Sequence, residues 1–143
     1  MGYIVGCLLT YMDEVDAFYT MKAFLTRYEM RDLYLPKMPG LGKAFYVLLS
    51  LMKKFLPKVH TNLLNHGIVP SVYASQWFMT LFAVCFPFEV LVRIWDIYFV
   101  EGKKIVYRVA LGIFKILEAD ILKADMDVFF KRIKQYYKEV DAE

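Results

Sequence analysis

Apolar residues along this chain recur at intervals of three and four, and no stretch alternates with a period of two for long enough to specify a strand. Leu41, Phe45, Leu48, Leu49 and Met52 form one such stripe, and Val106, Val109, Ile113 and Leu117 form another. Phe18, Met21, Leu25 and Tyr28 are expected on one face of a helix that starts after Asp13. Two segments, 3–12 and 71–86, have no polar face at all, the pattern of helices that belong in an interior. Residues 88–100 carry a thin polar strip of Glu89, Arg93 and Asp96, whose i,i+4 and i,i+3 spacings allow them to pair on a helix surface. The prediction is an all-α fold, a multi-helix array.

The breaks between these segments have chemical punctuation. Asp13 can cap the helix that follows, with Glu14 and Asp16 placed where acids meet free amides and the positive helix end. A loop is expected around Pro36, Pro39 and Gly40. Pro57 ends one helix and opens the next, because its missing N–H costs nothing in a first turn. Gly67 is expected to close that helix in a left-handed conformation. Pro70 or Ser71 opens the apolar helix 71–86, Pro87 divides it from 88–100, and Gly102 marks a turn before a helix over 103–119. Asp125 is the expected cap of a last helix reaching Val140. There Phe129, Phe130, Ile133 and Tyr137 cluster away from Lys131, Lys134 and Lys138. Such a helix can lie on a membrane or enter a partner groove. Packing of the aromatic stripe on the body is the favoured reading, since Asp127, Glu139, Asp141 and Glu143 dilute the positive charge.

Composition sharpens this picture in a few places. At 143 residues the chain suits one domain with a sizeable core, and no linker or repeat divides it. Its 59% hydrophobic content exceeds the soluble average of about 45–50%, so either the helices are deeply buried or part of the surface is meant to be covered. A net charge of +3 on dispersed basic residues argues against nucleic acid as a partner. Cys7 and Cys85 have neither metal nor redox spacing and read as reduced thiols. No charge falls between Ile68 and Phe88, a length that could cross a bilayer, but prolines at 70 and 87 and several polar residues favour a buried core helix. Gly2–Met12 has no basic leader, so a signal peptide is not expected. Phosphate loops, nucleophile elbows, metalloprotease motifs and paired-cysteine motifs are all missing from the sequence. His60 and His66 fall on different helix faces, and no metal or cofactor is expected. Gln76, within an apolar run, is expected to be buried and hydrogen-bonded to a neighbouring helix.

Four groups of residues stand in one order and spacing: Tyr73-Ala74-Ser75-Gln76-Trp77-Phe78, Arg93-Ile94-Trp95-Asp96, Glu101-Gly102, and Tyr107-Arg108-Val109-Ala110-Leu111. They are preceded by Met38-Pro39-Gly40-Leu41, a loop-to-helix entry. Together they resemble the C-terminal part of the TBC domain of Rab GTPase-activating proteins. Met1–Met12 resembles the small and apolar segment that follows the family's Y-x-Q-G motif. The resemblance implies an all-α domain that acts on a Rab-family small GTPase, in the cytoplasm and at endomembranes, peripherally to the bilayer. It also implies two residues supplied in trans, an arginine from I-x-x-D-x-x-R and a glutamine from Y-x-Q. Neither pattern occurs here: none of Arg27, Arg31, Arg93, Arg108 and Arg132 closes the first, and Tyr73 and Gln76 are spaced one residue too wide for the second. No catalytic residue is therefore carried over. Tyr73 and Ser75, early in their helix, are the candidates to face a GTPase groove. Residues 1–143 are expected to be a partial TBC domain, with its N-terminal helices and both fingers upstream of Met1. Uncovered, helices 3–12 and 71–86 would drive self-association. The alternatives are a TBC-like scaffold that binds a GTPase or adaptor without accelerating hydrolysis, and a small helical membrane protein built around 68–88.

Overall fold

The computed structural model describes residues 1–123 and 126–140, the side chain of Met126 excepted. Ten helices and no strand occur among the described residues: α1 (Gly2–Leu9), α2 (Glu14–Thr26), α3 (Pro39–Phe55), α4 (Pro57–Asn65), α5 (Pro70–Tyr73), α6 (Ser75–Thr80), α7 (Phe88–Glu101), α8 (Lys104–Ile116), α9 (Glu118–Ile121) and α10 (Met126–Glu139). A 3₁₀ turn, Met30–Leu33, links α2 to the loop before α3. Buried side chains form a single apolar cluster to which each of these helices contributes, and α3, α6 and α8 pack against one another within it.

The punctuation acts as its chemistry demands. The Asp16 amide donates to Asp13 Oδ1 at 2.9 Å, which satisfies one of the free donors of the first turn of α2. Pro39 and Pro57 occupy the first turns of α3 and α4. Gly67 follows α4 at φ +66° and Gly102 follows α7 at φ +71°, both in backbone space that side chains resist. The buried face of α2 differs from the predicted one. It is Ala17, Met21 and Phe24, while Phe18 is 65% exposed. The reason lies in α7: the Phe24 ring sits against Trp95, Tyr98 and Phe99 with centroids 5.2–5.8 Å away, and this nest sets the rotation of the helix.

The expected single helix over 71–86 is broken. A kink at Ala74 separates α5 from α6, and α6 stops at Thr80 because Leu81 (φ +46°) and Phe82 (φ +65°) are left-handed. Such conformations cost bulky residues about 1–3 kcal/mol each. Here that cost is offset by burial, with Leu81 3% and Phe82 0% exposed, and by the Trp95 indole, whose Nε1–H donates to the Leu81 carbonyl at 3.0 Å. The segment is interior, as its composition requires, but it is not one rod. Among the described residues no helix is long and apolar enough to cross a membrane, which removes the bilayer-spanning reading of 68–88.

Trp77 organises the other half of the core. Its ring meets Tyr73, Phe82 and Phe114 at centroid distances of 5.6–5.9 Å, and Phe114 stacks on Phe129 of α10. The indole Nε1–H donates to the Tyr137 hydroxyl at 2.7 Å, and that hydroxyl also bonds the Cys85 thiol. The last helix thus packs its aromatic stripe on the body, with Phe129 and Ile133 buried. The expected cap Asp125 lies outside the described residues.

Two predictions follow from this junction. Replacing Tyr137 with Phe strands a buried indole N–H, so the change is expected to cost about 1–3 kcal/mol in urea unfolding. The double replacement with Trp77→Phe should show non-additivity in a mutant cycle. The second concerns pH. Burial pushes the Cys85 thiol up to about 11 from 9.0, and burial likewise raises the Tyr73, Tyr98 and Tyr137 hydroxyls. A raised folded-state value favours folding only while the unfolded group stays protonated. Stability should therefore be flat below pH 9 and fall between pH 9 and about 11, read as a falling urea midpoint.

Candidate functional site

The two residues predicted to face a partner do not form a surface. Tyr73 is 8% exposed, its ring enclosed by Trp77, Phe114 and Phe129, and its hydroxyl donates to Met52 Sδ at 3.8 Å. It stands one turn before Trp77 and so shares that residue's inward face. In this structure the ring belongs to the core and not to an open groove. Ser75 is half-buried, and its hydroxyl donates to the Ser71 carbonyl at 2.7 Å, which closes its own helical turn. Gln76 is exposed rather than buried, because the kink at Ala74 turns it away from the Trp77 side.

The recognisable sequence groups have structural explanations. Met38 precedes α3 in the left-handed region (φ +47°), and Gly40 packs so tightly on the 3₁₀ turn that a Cβ there would lie 2.7 Å from the Asp32 carbonyl carbon. Only glycine permits that approach. Glu101 receives Lys104 at 3.2 Å and Arg108 at 2.5 Å, so the two charged groups close the α7–α8 turn around Gly102. These pairs are solvent-exposed and worth no more than about 1 kcal/mol each. The expected pairing of Glu89, Arg93 and Asp96 does not occur: all three are exposed, and none has an ion-pair partner among the described residues. A surface helical pair returns only about 0.3–0.5 kcal/mol, too little to hold two long side chains in one geometry.

A surface with functional character lies where α1, the start of α2 and the outer side of α7 converge. Ile4 and Leu8 seat α1 on the core, and this leaves Tyr3, Leu9 and Tyr11 in solvent. Val15, Phe18 and Tyr19 continue the exposed strip along α2, each more than 60% accessible. The Tyr11 ring rests on Phe88 at 5.5 Å, and a cleft of about 140 Å³ between the two elements is lined by Cys7, Tyr11, Val92 and Asp96. Burial raises the pKa of the Cys7 thiol there. Asp13, Glu14 and Asp16 edge the strip with negative charge. A large apolar patch with a polar edge suits docking of another protein surface. Among the described residues no group of three His, Cys, Asp or Glu side chains is placed to hold a metal ion. The sequence marked 3–12 as needing cover. Val15, Phe18 and Tyr19 share one face by their spacing, but only the rotation that Phe24 fixes turns that face outward, and the sequence did not show it.

Comparison with known proteins fits this arrangement. Residues 1–122 match the Rab-GTPase-TBC domain family. The chain is 33% identical to the Rab GTPase-activating protein eat-17 of Caenorhabditis elegans, over 96% of this chain and 16% of that protein. It is 34% identical to the GTPase-activating protein GYP5 of Saccharomyces cerevisiae, over 94% of this chain and 15% of that protein. To the growth hormone-regulated TBC protein 1 of Xenopus laevis it is 42% identical, over 87% and 36% respectively. The chain therefore spans between 15% and 36% of the length of these relatives. In three dimensions it superposes on the crystal structure of the Chlamydomonas flagellar RabGAP TBC domain with a TM-score of 0.80 and 29% identity, over 94% of this chain and 45% of that one. An all-helical body, the TBC-like sequence groups at its turns and junctions, and a match over residues 1–122 place the chain in the Rab-GTPase-TBC domain family.

Proposed function

We propose that this chain is one part of a module that stimulates GTP hydrolysis by a Rab-family small GTPase in vesicle traffic, supplying scaffold and contact surface rather than the catalytic fingers. The match of residues 1–122 to the Rab-GTPase-TBC family carries this reading, with eat-17 and GYP5 described as GTPase activators. The protein is a regulator, and the bond-breaking chemistry belongs to the GTPase. Within residues 1–143 no arginine closes I-x-x-D-x-x-R and no glutamine closes Y-x-Q. Two arginines are already engaged structurally, Arg108 with Glu101 and Arg132 with Asp120 and Glu139. Phosphoryl transfer is accelerated by positioning and by charge supplied at the phosphates. A chain without a finger to supply has scaffold and docking left to contribute. Its place of action is the cytoplasm, on GTPases held at endomembranes.

The exposed strip of α1 and α2 has the character of an interior face, and we assign it to packing against further helices of a larger TBC domain. The 45% coverage of the flagellar TBC domain chain supports that assignment. Alone, the same strip would pair copies of the chain.

Single-turnover phosphate release from a panel of GTP-loaded Rab proteins tests the catalytic part. The chain alone should leave intrinsic hydrolysis unchanged. Joined at its N-terminus to a TBC segment that carries both I-x-x-D-x-x-R and Y-x-Q, it should restore acceleration on the order of 10³–10⁵. Acceleration by the chain alone overturns the missing-finger assignment, and a folded fusion without activity overturns the activator reading. Sedimentation tests the strip: the chain alone is expected to associate with rising concentration, and Phe18→Ser with Tyr19→Ser should return it to a monomer. A monomer without those substitutions refutes the self-pairing.

A further inference from the structure

All 15 Asp and Glu residues of the sequence lie outside residues 33–88, a stretch that carries Lys37, Lys43, Lys53, Lys54 and Lys58. Folding brings three of these lysines to one corner. There α3 ends at Phe55, the buried Leu56 acts as a pivot, and α4 begins at Pro57. Lys53, Lys54, Phe55 and Lys58 surround the pivot and are all exposed, and the Lys54 ammonium lies over the Phe55 ring at 5.2 Å. None of the three lysines has a carboxylate partner among the described residues. Of the elements packed most closely on α3 and α4, the 3₁₀ turn and α9 contain acids. Asp32 lies against Gly40 at the opposite end of α3, Glu118 is engaged by Lys115, and Asp120 by Arg132.

The outer faces of both helices continue the pattern. On α3, Tyr46 and Ser50 precede Lys53 and Lys54 at helical spacing, and on α4, Thr61 and Leu64 follow Pro57. Tyr46, Phe55 and Leu64 are each more than half exposed. Local helix chemistry accounts for only part of this arrangement. Cations at the end of α3 suit the negative pole of that helix, but Lys58 stands in the first turn of α4, the positive pole, where an acid is the favourable choice. No arginine occurs between Arg31 and Arg93. Arginine grips a carboxylate or phosphate in a fixed bidentate geometry, whereas lysine is a hydrated point charge on a flexible stem. Unpaired lysines around an outward phenylalanine therefore fit a diffuse negative field over an apolar interior better than a defined acidic epitope.

We propose that the α3–α4 corner docks on an anionic lipid bilayer, with Phe55 entering the headgroup boundary and Lys53, Lys54 and Lys58 lying over the negative headgroups. A lysine held near such a surface raises affinity about fivefold. The site deepens the endomembrane placement proposed above, but its test contains no GTPase, so the two readings can fail separately.

Vesicle flotation of the full chain tests it, because flotation separates lipid-bound protein from self-associated protein. Vesicles of phosphatidylcholine with one-third phosphatidylserine should carry the chain upward, and phosphatidylcholine alone should bind it about tenfold or more weakly. Binding should weaken as salt rises. The combined change Lys53→Gln, Lys54→Gln and Lys58→Gln should lower affinity for the anionic vesicles about 100-fold. Phe55→Trp places a reporter at the corner while Trp77 and Trp95 stay buried. Its emission should shift to the blue on anionic vesicles and not on polyglutamate, a soluble polymer of the same sign. If the glutamine variant does not fold, the lipid preference, the salt dependence and the indole shift decide the question. Equal binding to the two vesicle types overturns the site, as does unchanged affinity in a folded glutamine variant. An unshifted indole with tight binding to polyglutamate also overturns it, in favour of an acidic protein partner.

Discussion

The hydrogen bond from the Trp95 indole to the Leu81 carbonyl, made across a left-handed turn, is the constraint on which the arrangement of this domain depends. Leu81 and Phe82 lie in the interior, where a backbone that leaves helical geometry must be satisfied by the protein itself. The carbonyl freed at Leu81 must find a donor within the protein. Trp95 supplies it and at the same time draws α7 against the end of α6. The side chains of Leu81 and Phe82 fill the space that the turn opens. Backbone strain, indole and apolar packing thus act together at one turn.

That unit also positions the exposed strip. Holding α7 by Trp95 places Phe99, Tyr98 and Trp95 around Phe24, which fixes the rotation of α2 and leaves Val15, Phe18 and Tyr19 outside.

The residues by which the family is recognised are, in this part of the domain, residues of architecture. Gly40 permits a close crossing, Glu101 and Arg108 close a turn, Tyr73 and Trp77 fill the core, and Trp95 satisfies a carbonyl. A contact so dense that a single Cβ or a single donor decides it restricts which residue can occupy the position. This explains how an activator family can be recognised in a stretch that holds none of the chemistry implied for it.

Much of the fold was legible along the chain, because caps, prolines and glycines act locally. Asp13, Pro57, Gly67 and Gly102 bound their helices where one-dimensional reasoning puts them, while Pro39 and Gly40, expected in a loop, form the first turn of α3; the i,i+3 and i,i+4 stripes of α3 and α8 face inward as their spacing requires. Tertiary structure alone decided the break after Thr80, the inward turn of Tyr73, the outward turn of Gln76 and the rotation that exposes Phe18. A segment apolar on every side carries no periodic signal to say which face matters or where it should bend. Those choices belong to the partners that pack against it, and the partners lie far away in sequence.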